Sequence, residues 1–175
     1  MSATLVACAD TGPPNSDSDR NEVADAVGGA ADNDGMTAGG WQSAEDGGGQ
    51  SVAFRSTSGE LLFAIACDVR GGLLFERHGL VPRANLGLMQ LRTGGVVRRL
   101  AATTASDDEP QVQARAPYND QLIPALMRFE EPLEVRIEGL RTLMLPPSPA
   151  VRELTQRCQR SRPPPAAPAA PAESG

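Results

Sequence analysis

The chain reads as an α+β, β-dominated domain, an antiparallel sandwich or rolled sheet with one or two short covering helices. Three observations predict this class. Apolar residues recur with a period of two through the central stretch, glycine turns separate successive apolar runs into hairpins, and two short segments near the C-terminus carry a helical period instead. Both ends of the chain lack any such pattern, so one domain is expected over residues 41–160, an ordinary size for a single core.

In chain order, Val52 and Phe54 alternate with polar neighbours, and Ser58-Gly59 reads as a turn. Residues 60–68 follow as a strand, with Leu61, Phe63, Ile65 and Cys67 on one face and the smaller Ala64 and Ala66 on the other. Apolar on both faces, this strand belongs near the centre of the sheet. Val69-Arg70-Gly71-Gly72 turns the chain into residues 73–78, which completes a hairpin. Residues 86–92 and 96–102 form a second one around Thr93-Gly94-Gly95, where glycine supplies the positive φ that a tight turn demands. Residues 132–138 are the clearest strand: Leu133, Val135 and Ile137 are expected to face in, and Glu134, Arg136 and Glu138 out. Gly139-Leu140 leads to a short apolar run at residues 142–145.

Two helices are expected after that pattern of strands. Asn119 or Asp120 can cap a helix whose Leu122, Ile123, Leu126 and Met127 make one apolar stripe, with Pro124 confined to its early part. Ser148 is a favoured N-cap for the second helix and Pro149 suits its first position. Val151, Leu154 and Cys158 then recur at spacings of three and four, which points Cys158 at the core.

The flanks differ in kind. Residues 9–40 are Gly, Ala, Asp, Asn and Ser with hardly a large apolar side chain, a composition that cannot bury enough surface to offset the entropy of ordering, and they read as a disordered tether. Asp10, Asp17, Asp19, Glu22, Asp25, Asp32 and Asp34 against Arg20 give this tether a charge of −6, equal to that of the whole chain. The rest is formally neutral, so it has no basic footprint for nucleic acid. A calcium loop fails here, because placing Gly35 at the sixth position puts Ala30 and Trp41 where carboxylates are needed. Residues 161–175 form a Pro/Ala tail of polyproline type, solvated or a ligand for a groove that reads such helices. No apolar run approaches the roughly 20 residues of a membrane-spanning helix.

Leu5-Val6-Ala7-Cys8 resembles the lipobox of bacterial lipoproteins. The resemblance implies acylation of Cys8, which would become the mature N-terminus and anchor the protein to a membrane of the cell envelope. A secretory signal needs a basic stretch and an apolar one of about 7–15 residues, and Met1–Thr4 offers neither. Either the coding start lies upstream of Met1, or Cys8 is a chance cysteine in a cytosolic protein with free thiols. The acidic tether favours the first reading, since a lipid-anchored domain needs a spacer to clear the headgroups. Cys67 and Cys158 are then an even pair on two apolar faces, and a bridge would staple the end of the domain to its middle; without export they are two buried thiols. Two cysteines and one histidine cannot make a four-ligand structural zinc site, and no metal or cofactor is expected.

Catalytic motifs are missing from the sequence. There is no Gly-x-Ser-x-Gly, no His-Glu-x-x-His and no phosphate-binding Gly-x-x-x-x-Gly-Lys, the chain having no lysine at all. A hydrolase would have to gather Glu130, Glu131, Glu134 or Glu138 around His78, the single histidine, which ends a strand beside Gly79. Solvated carboxylates and a surface histidine are the simpler expectation. With Trp41, Tyr118 and four Phe, of which Phe54, Phe63 and Phe75 look like core, no stacking platform for sugars or single strands can be built. Arg92, Arg98 and Arg99 cluster on the second hairpin and can meet an anionic partner, unless Asp107-Asp108-Glu109 neutralises them.

Residues 41–158 are similar to small proteobacterial envelope lipoproteins. The likeness rests on the Trp opening, Leu-Leu-Phe-Ala-Ile-Ala-Cys, Leu-Glu-Val-Arg-Ile-Glu-Gly, and Leu-Pro-Pro-Ser-Pro-Ala-Val before a final helix ending in Cys. More distantly they resemble the secreted β domain of the invasion-associated locus B type. That resemblance implies a periplasmic β domain with one disulfide and carries no catalytic residues. The expected function is a membrane-tethered binding or structural module, with an envelope protein or small ligand as partner.

Overall fold

The computed structural model describes residues 35–44, 50–69, 71–79, 87–104 and 111–161. The cysteine of the lipobox, most of the acidic tether, Asp107-Asp108-Glu109 and the Pro/Ala tail lie outside them. The domain is β-dominated α+β, one curled antiparallel sheet of nine strands with two short helices. The strands are β1 (Gly39–Ala44), β2 (Ser51–Ser56), β3 (Leu61–Cys67), β4 (Leu73–His78), β5 (Leu88–Thr93), β6 (Val96–Thr104), β7 (Gln111–Ala116), β8 (Leu133–Ile137) and β9 (Leu143–Leu145). The helices are α1 (Leu122–Arg128) and α2 (Pro149–Arg160).

The strand order β1-β2-β3-β4-β7-β6-β5-β8-β9 shows how the sheet is built. Strands β1 to β4 form a meander, the β5–β6 hairpin enters the sheet in reverse, and β7 stitches the two parts together by pairing with β4 and β6. The sequence pattern does not reveal β7. Its inward residues are Val112, Ala114 and Ala116, and alanine carries little strand signal.

The sheet curls until its edges meet. Just ahead of β1, the Thr37 amide donates to the Met144 carbonyl of β9 (2.8 Å), and the Met144 amide donates to the Thr37 hydroxyl (2.9 Å). One turn further, the Trp41 indole N–H donates to the Pro146 carbonyl (2.8 Å). Thr37 is buried and Gly39 already pairs with Ser56, so the domain begins before the boundary expected at Trp41. A glycine is required at position 39, because at its positive φ a Cβ would collide with the Arg55 carbonyl.

Register places Trp41, Phe54 and Phe63 in one row and Val52, Ile65 and Phe75 in the next. This inner face holds the aromatic cluster: Trp41 meets Phe54, Phe63 and Phe129 edge-on at centroid distances of 5.4, 6.4 and 6.4 Å. A bulge at Phe54–Arg55 shifts the β2–β3 register, and at that end of β3 Leu62 is fully buried while Leu61 is only partly so.

Helix α2 packs against β1, β2 and β3 and against α1. The Ser148 hydroxyl accepts from the Ala150 amide (3.2 Å), and Val151, Leu154 and Cys158 are fully buried. A disulfide joins Cys158 to Cys67 at the end of β3, with the Cα atoms 5.4 Å apart. In α1, Asp120 supports the first turn by accepting from the Leu122 amide (2.9 Å), while Gln121 holds the cap position itself. The expected apolar stripe on α1 is corrected at one place: Ala125 is buried and Met127 is exposed, because the helix ends at Arg128 and Phe129 turns in with a left-handed backbone to meet Trp41.

Candidate functional site

Antiparallel pairing brings three arginines to the outer face of β5, β6 and β8. Gln90 stands opposite Arg99 on one side and Arg136 on the other, and Arg92 stands opposite Glu134. Side chains alternate along each strand, so Arg92, Arg99, Glu134 and Arg136 share the face that turns away from Met89, Leu91 and Val135.

Glu134 is the centre of this arrangement. It was expected to face solvent, yet its side chain is only 3% exposed. The position does face outward; the neighbours cover it. Arg92 Nε donates to Glu134 Oε2 (2.5 Å), and Arg136 forms an ion pair with Oε1 without a hydrogen bond, so the carboxylate lies under two guanidinium groups that remain more than half exposed (55% and 58%). A carboxylate is stable at such a depth when charge-assisted bonds replace its lost hydration. Arg99 donates to Gln90 Oε1 (3.1 Å), a neutral acceptor that leaves its charge uncompensated. Among these groups three positive charges face one negative charge.

Arg98 does not belong to the face. Adjacent residues on a strand point to opposite sides, and Arg98 turns inward, where Nε and Nη2 grip Asp120 at 2.7–3.0 Å. The Asp120 carboxylate is itself buried and holds the start of α1. Arg98 is therefore a tie between β6 and α1. The expected trio of Arg92, Arg98 and Arg99 is separated by the sheet, and Arg136 takes the third place. Alternation alone separates Arg98 from Arg99, but only the β5–β8 pairing brings in Arg136, which no local signal announces.

The outer face of β4 and β7 carries pairs of its own. Arg115 on β7 lies 3.2 Å from Asp68, and Gln113 donates to Glu76 (2.8 Å). Beside the arginine face, between the β5–β6 turn and β8, a cleft of about 230 Å³ is lined by Arg92, Gly94, Gly95, Glu131, Glu134 and Met144. Its wall is tied by Thr93, whose hydroxyl donates to the Glu131 carbonyl (3.1 Å). With carboxylates and a guanidinium in one small open space, the cleft suits a polar group of mixed charge better than an apolar one.

The carboxylates proposed for hydrolysis do not gather at His78. His78 ends β4, whereas Glu134 lies in β8 and Glu138 just after it, four places along the order β4-β7-β6-β5-β8, and Glu134 is committed to Arg92 and Arg136. Among the described residues no group of His, Cys, Asp or Glu is arranged to hold a metal ion, and no helix is long and apolar enough to cross a membrane.

One charge lies inside the sheet. Arg77 on β4 is 2% exposed, in register with Phe63 and Val112, and donates to the Leu62 carbonyl (3.1 Å) and to that of His78. Burial lowers its pKa from the ordinary arginine range to about 10, against a smaller opposing pull from Glu60. Alternation along β4 sets Arg77 on the same face as Leu73 and Phe75, so its burial follows from the period of two even though its charge argues against it.

Comparison with protein families, with curated proteins and with solved structures finds no match to this chain.

Proposed function

We propose that this chain is an exported protein of the bacterial cell envelope, tethered to a membrane through lipid on Cys8, whose domain acts without catalysis as a binding or structural module. The observation that carries the reading is the pairing of Cys67 with Cys158. Disulfides between buried core positions persist in oxidising compartments and are rare in a reducing cytosol. With these two paired, Cys8 is the one cysteine left over, and it stands in the lipobox-like Leu-Val-Ala-Cys. A binding role rests on the arginine face, since exposed guanidinium groups with spare donors engage carboxylate or phosphate groups in forked, charge-assisted contacts.

Fractionation of the native host, followed by mass spectrometry of the Cys8 peptide, tests the proposal. The expected result is membrane-associated protein with an acylated Cys8 at its N-terminus. Soluble protein with an unmodified segment around Cys8, and with two further thiols reactive under denaturing, non-reducing conditions, would overturn it.

A further inference from the structure

We infer that the acidic N-terminal segment, Asp10 to Asp34, docks in cis on the outer face of β5, β6 and β8, over Arg92, Arg99 and Arg136. The inference goes beyond the envelope reading and does not depend on acylation.

Charge is the first argument. The segment holds a net charge of −6 in seven acids and one arginine, while the remainder of the chain sums to zero. On the domain, Arg115 and Arg98 each have a carboxylate of their own, in Asp68 and Asp120. Among the described residues, Arg92, Arg99 and Arg136 have only Glu134 between them, and that carboxylate is buried beneath two of the three. Glu131 beside the cleft and Glu138 after β8 bound the face at either end, which confines the positive stretch to its middle.

Position is the second, independent argument. The chain enters the fold through Thr37, which is bonded to Met144 of β9. Met144 is in register with Glu134, and Glu134 with Arg92, so Thr37 and Arg92 lie in one row across the sheet. At about 4.8 Å between strands, three steps span about 15 Å. An extended chain covers about 3.3–3.6 Å per residue, so four or five residues upstream of Thr37 reach Arg92. Asp34 and Asp32 fall within that reach, and Asp25 and Glu22 have ample chain left to meet Arg99 one strand further on.

The chemistry of the face agrees in a third respect. Leu88 and Val97 stand half exposed among the arginines, at 50% and 49%. Between Glu22 and Asp32 the segment carries Val23 and Val27, its large aliphatic residues. A segment laid along the face brings acids to the guanidinium groups and these two valines to the uncovered apolar side chains. The docked segment competes with any other anion for the same arginines.

The test uses the full chain with Cys8→Ser and Ser18→Cys, the disulfide intact and a nitroxide on residue 18, read by amide relaxation. At about 0.01 M salt, broadening is expected to concentrate on outward-facing residues of β5, β6 and β8. It should fall severalfold at about 1 M, where the Debye length shrinks from about 30 Å to about 3 Å. Two variants guard against loss of the fold. Replacing the seven acids by their amides changes no residue of the domain, and Arg99→Gln removes a side chain bonded, among the described residues, to Gln90; each should weaken the broadening. Weak broadening spread over the whole surface, broadening centred on another face, or indifference to salt and to both variants would overturn the inference. So would broadening that grows with protein concentration, which would place a neighbouring copy's segment on the face. Because Cys8 is replaced, failure here leaves the acylation result untouched, and the reverse.

Discussion

The two halves of the curled sheet solve different problems with the same strand pattern. In β1 to β4 the inner rows are aromatic, with Trp41, Phe54, Phe63 and Phe75, and α2 is fastened to them by the Cys67–Cys158 bridge. In β5, β6, β8 and β9 the inner residues are aliphatic, with Met89, Leu91, Leu133, Val135, Leu143 and Leu145, and no covalent link is present among the described residues. The outer faces diverge further. Ala53 and Ala64 on β2 and β3 are small and buried, whereas β5, β6 and β8 raise arginines into solvent. The first half concentrates aromatic and covalent contacts, and the second raises a charged outer surface.

Breaking the bridge should test that division most severely. Cys158→Ser, or reduction, is expected to cost about 4–5 kcal/mol on the chain-entropy estimate for a loop of about 90 residues. Denaturant unfolding measures the loss, and hydrogen exchange should show α2 opening first, because a helix of 12 residues is marginal without its tertiary contacts. A cost near 1 kcal/mol would mean that the aromatic half holds α2 without the bridge. In the other half, the largest effect is expected at Glu134. Arg92→Ala or Arg136→Ala alone should cost about 1 kcal/mol or less, since the remaining arginine keeps the carboxylate paired. The double variant leaves a buried carboxylate without a cation and should cost about 2–3 kcal/mol, more than the sum. Additive losses in a double-mutant cycle would show that Glu134 is solvated and the face is not organised around it.

Arg98 and Arg99 sharpen the comparison, being neighbours in sequence on opposite faces. Arg98→Gln leaves the buried Asp120 without its bidentate partner and weakens the start of α1, so a loss of about 1–2 kcal/mol is expected. Arg99→Gln should stay within about 0.5 kcal/mol of wild type, as surface changes away from special contacts do. Equal effects in thermal unfolding would contradict the assignment of one residue to structure and the other to the exposed arginine face.

Much of the fold was legible because strand alternation and glycine turns are local. The hairpin from β3 to β4, the turn at Gly94-Gly95, the inward face of β8 and the Ser148 cap all follow from residues within a few positions of one another. The pieces that escaped are non-local. Nothing near Gln111–Ala116 says that this alanine-rich strand joins the two halves, and nothing near Thr37 says that it closes the sheet against Met144. The site was less legible for the same reason. Glu134 reads as solvent-facing until β5 is set beside β8, at which point Arg92 and Arg136 cover it. Arg98 and Arg99 differ in face by alternation alone, and there the period-two rule already contained the answer that a cluster in sequence obscured.

A net effect close to balance is expected at Arg77, a charge placed in the half otherwise built from apolar contacts. Its desolvation works against folding at neutral pH, while its donations to the Leu62 and His78 carbonyls work for it. Arg77→Met fills a similar volume, removes the first term and loses the second, so its stability should lie within about 1 kcal/mol of wild type. Alkaline pH separates the two contributions. The folded protein releases the Arg77 proton near pH 10, whereas the unfolded chain holds it up to the higher, ordinary arginine value. Between these values the unfolded state binds more protons, so wild-type stability gains with rising pH relative to a variant lacking the group. Denaturant unfolding of both proteins below pH 10 and again above it should therefore show the balance moving toward wild type. A difference that stays constant across that window would mean that Arg77 keeps its full hydration, and that the aromatic half of the sheet is more open to water than its packing implies.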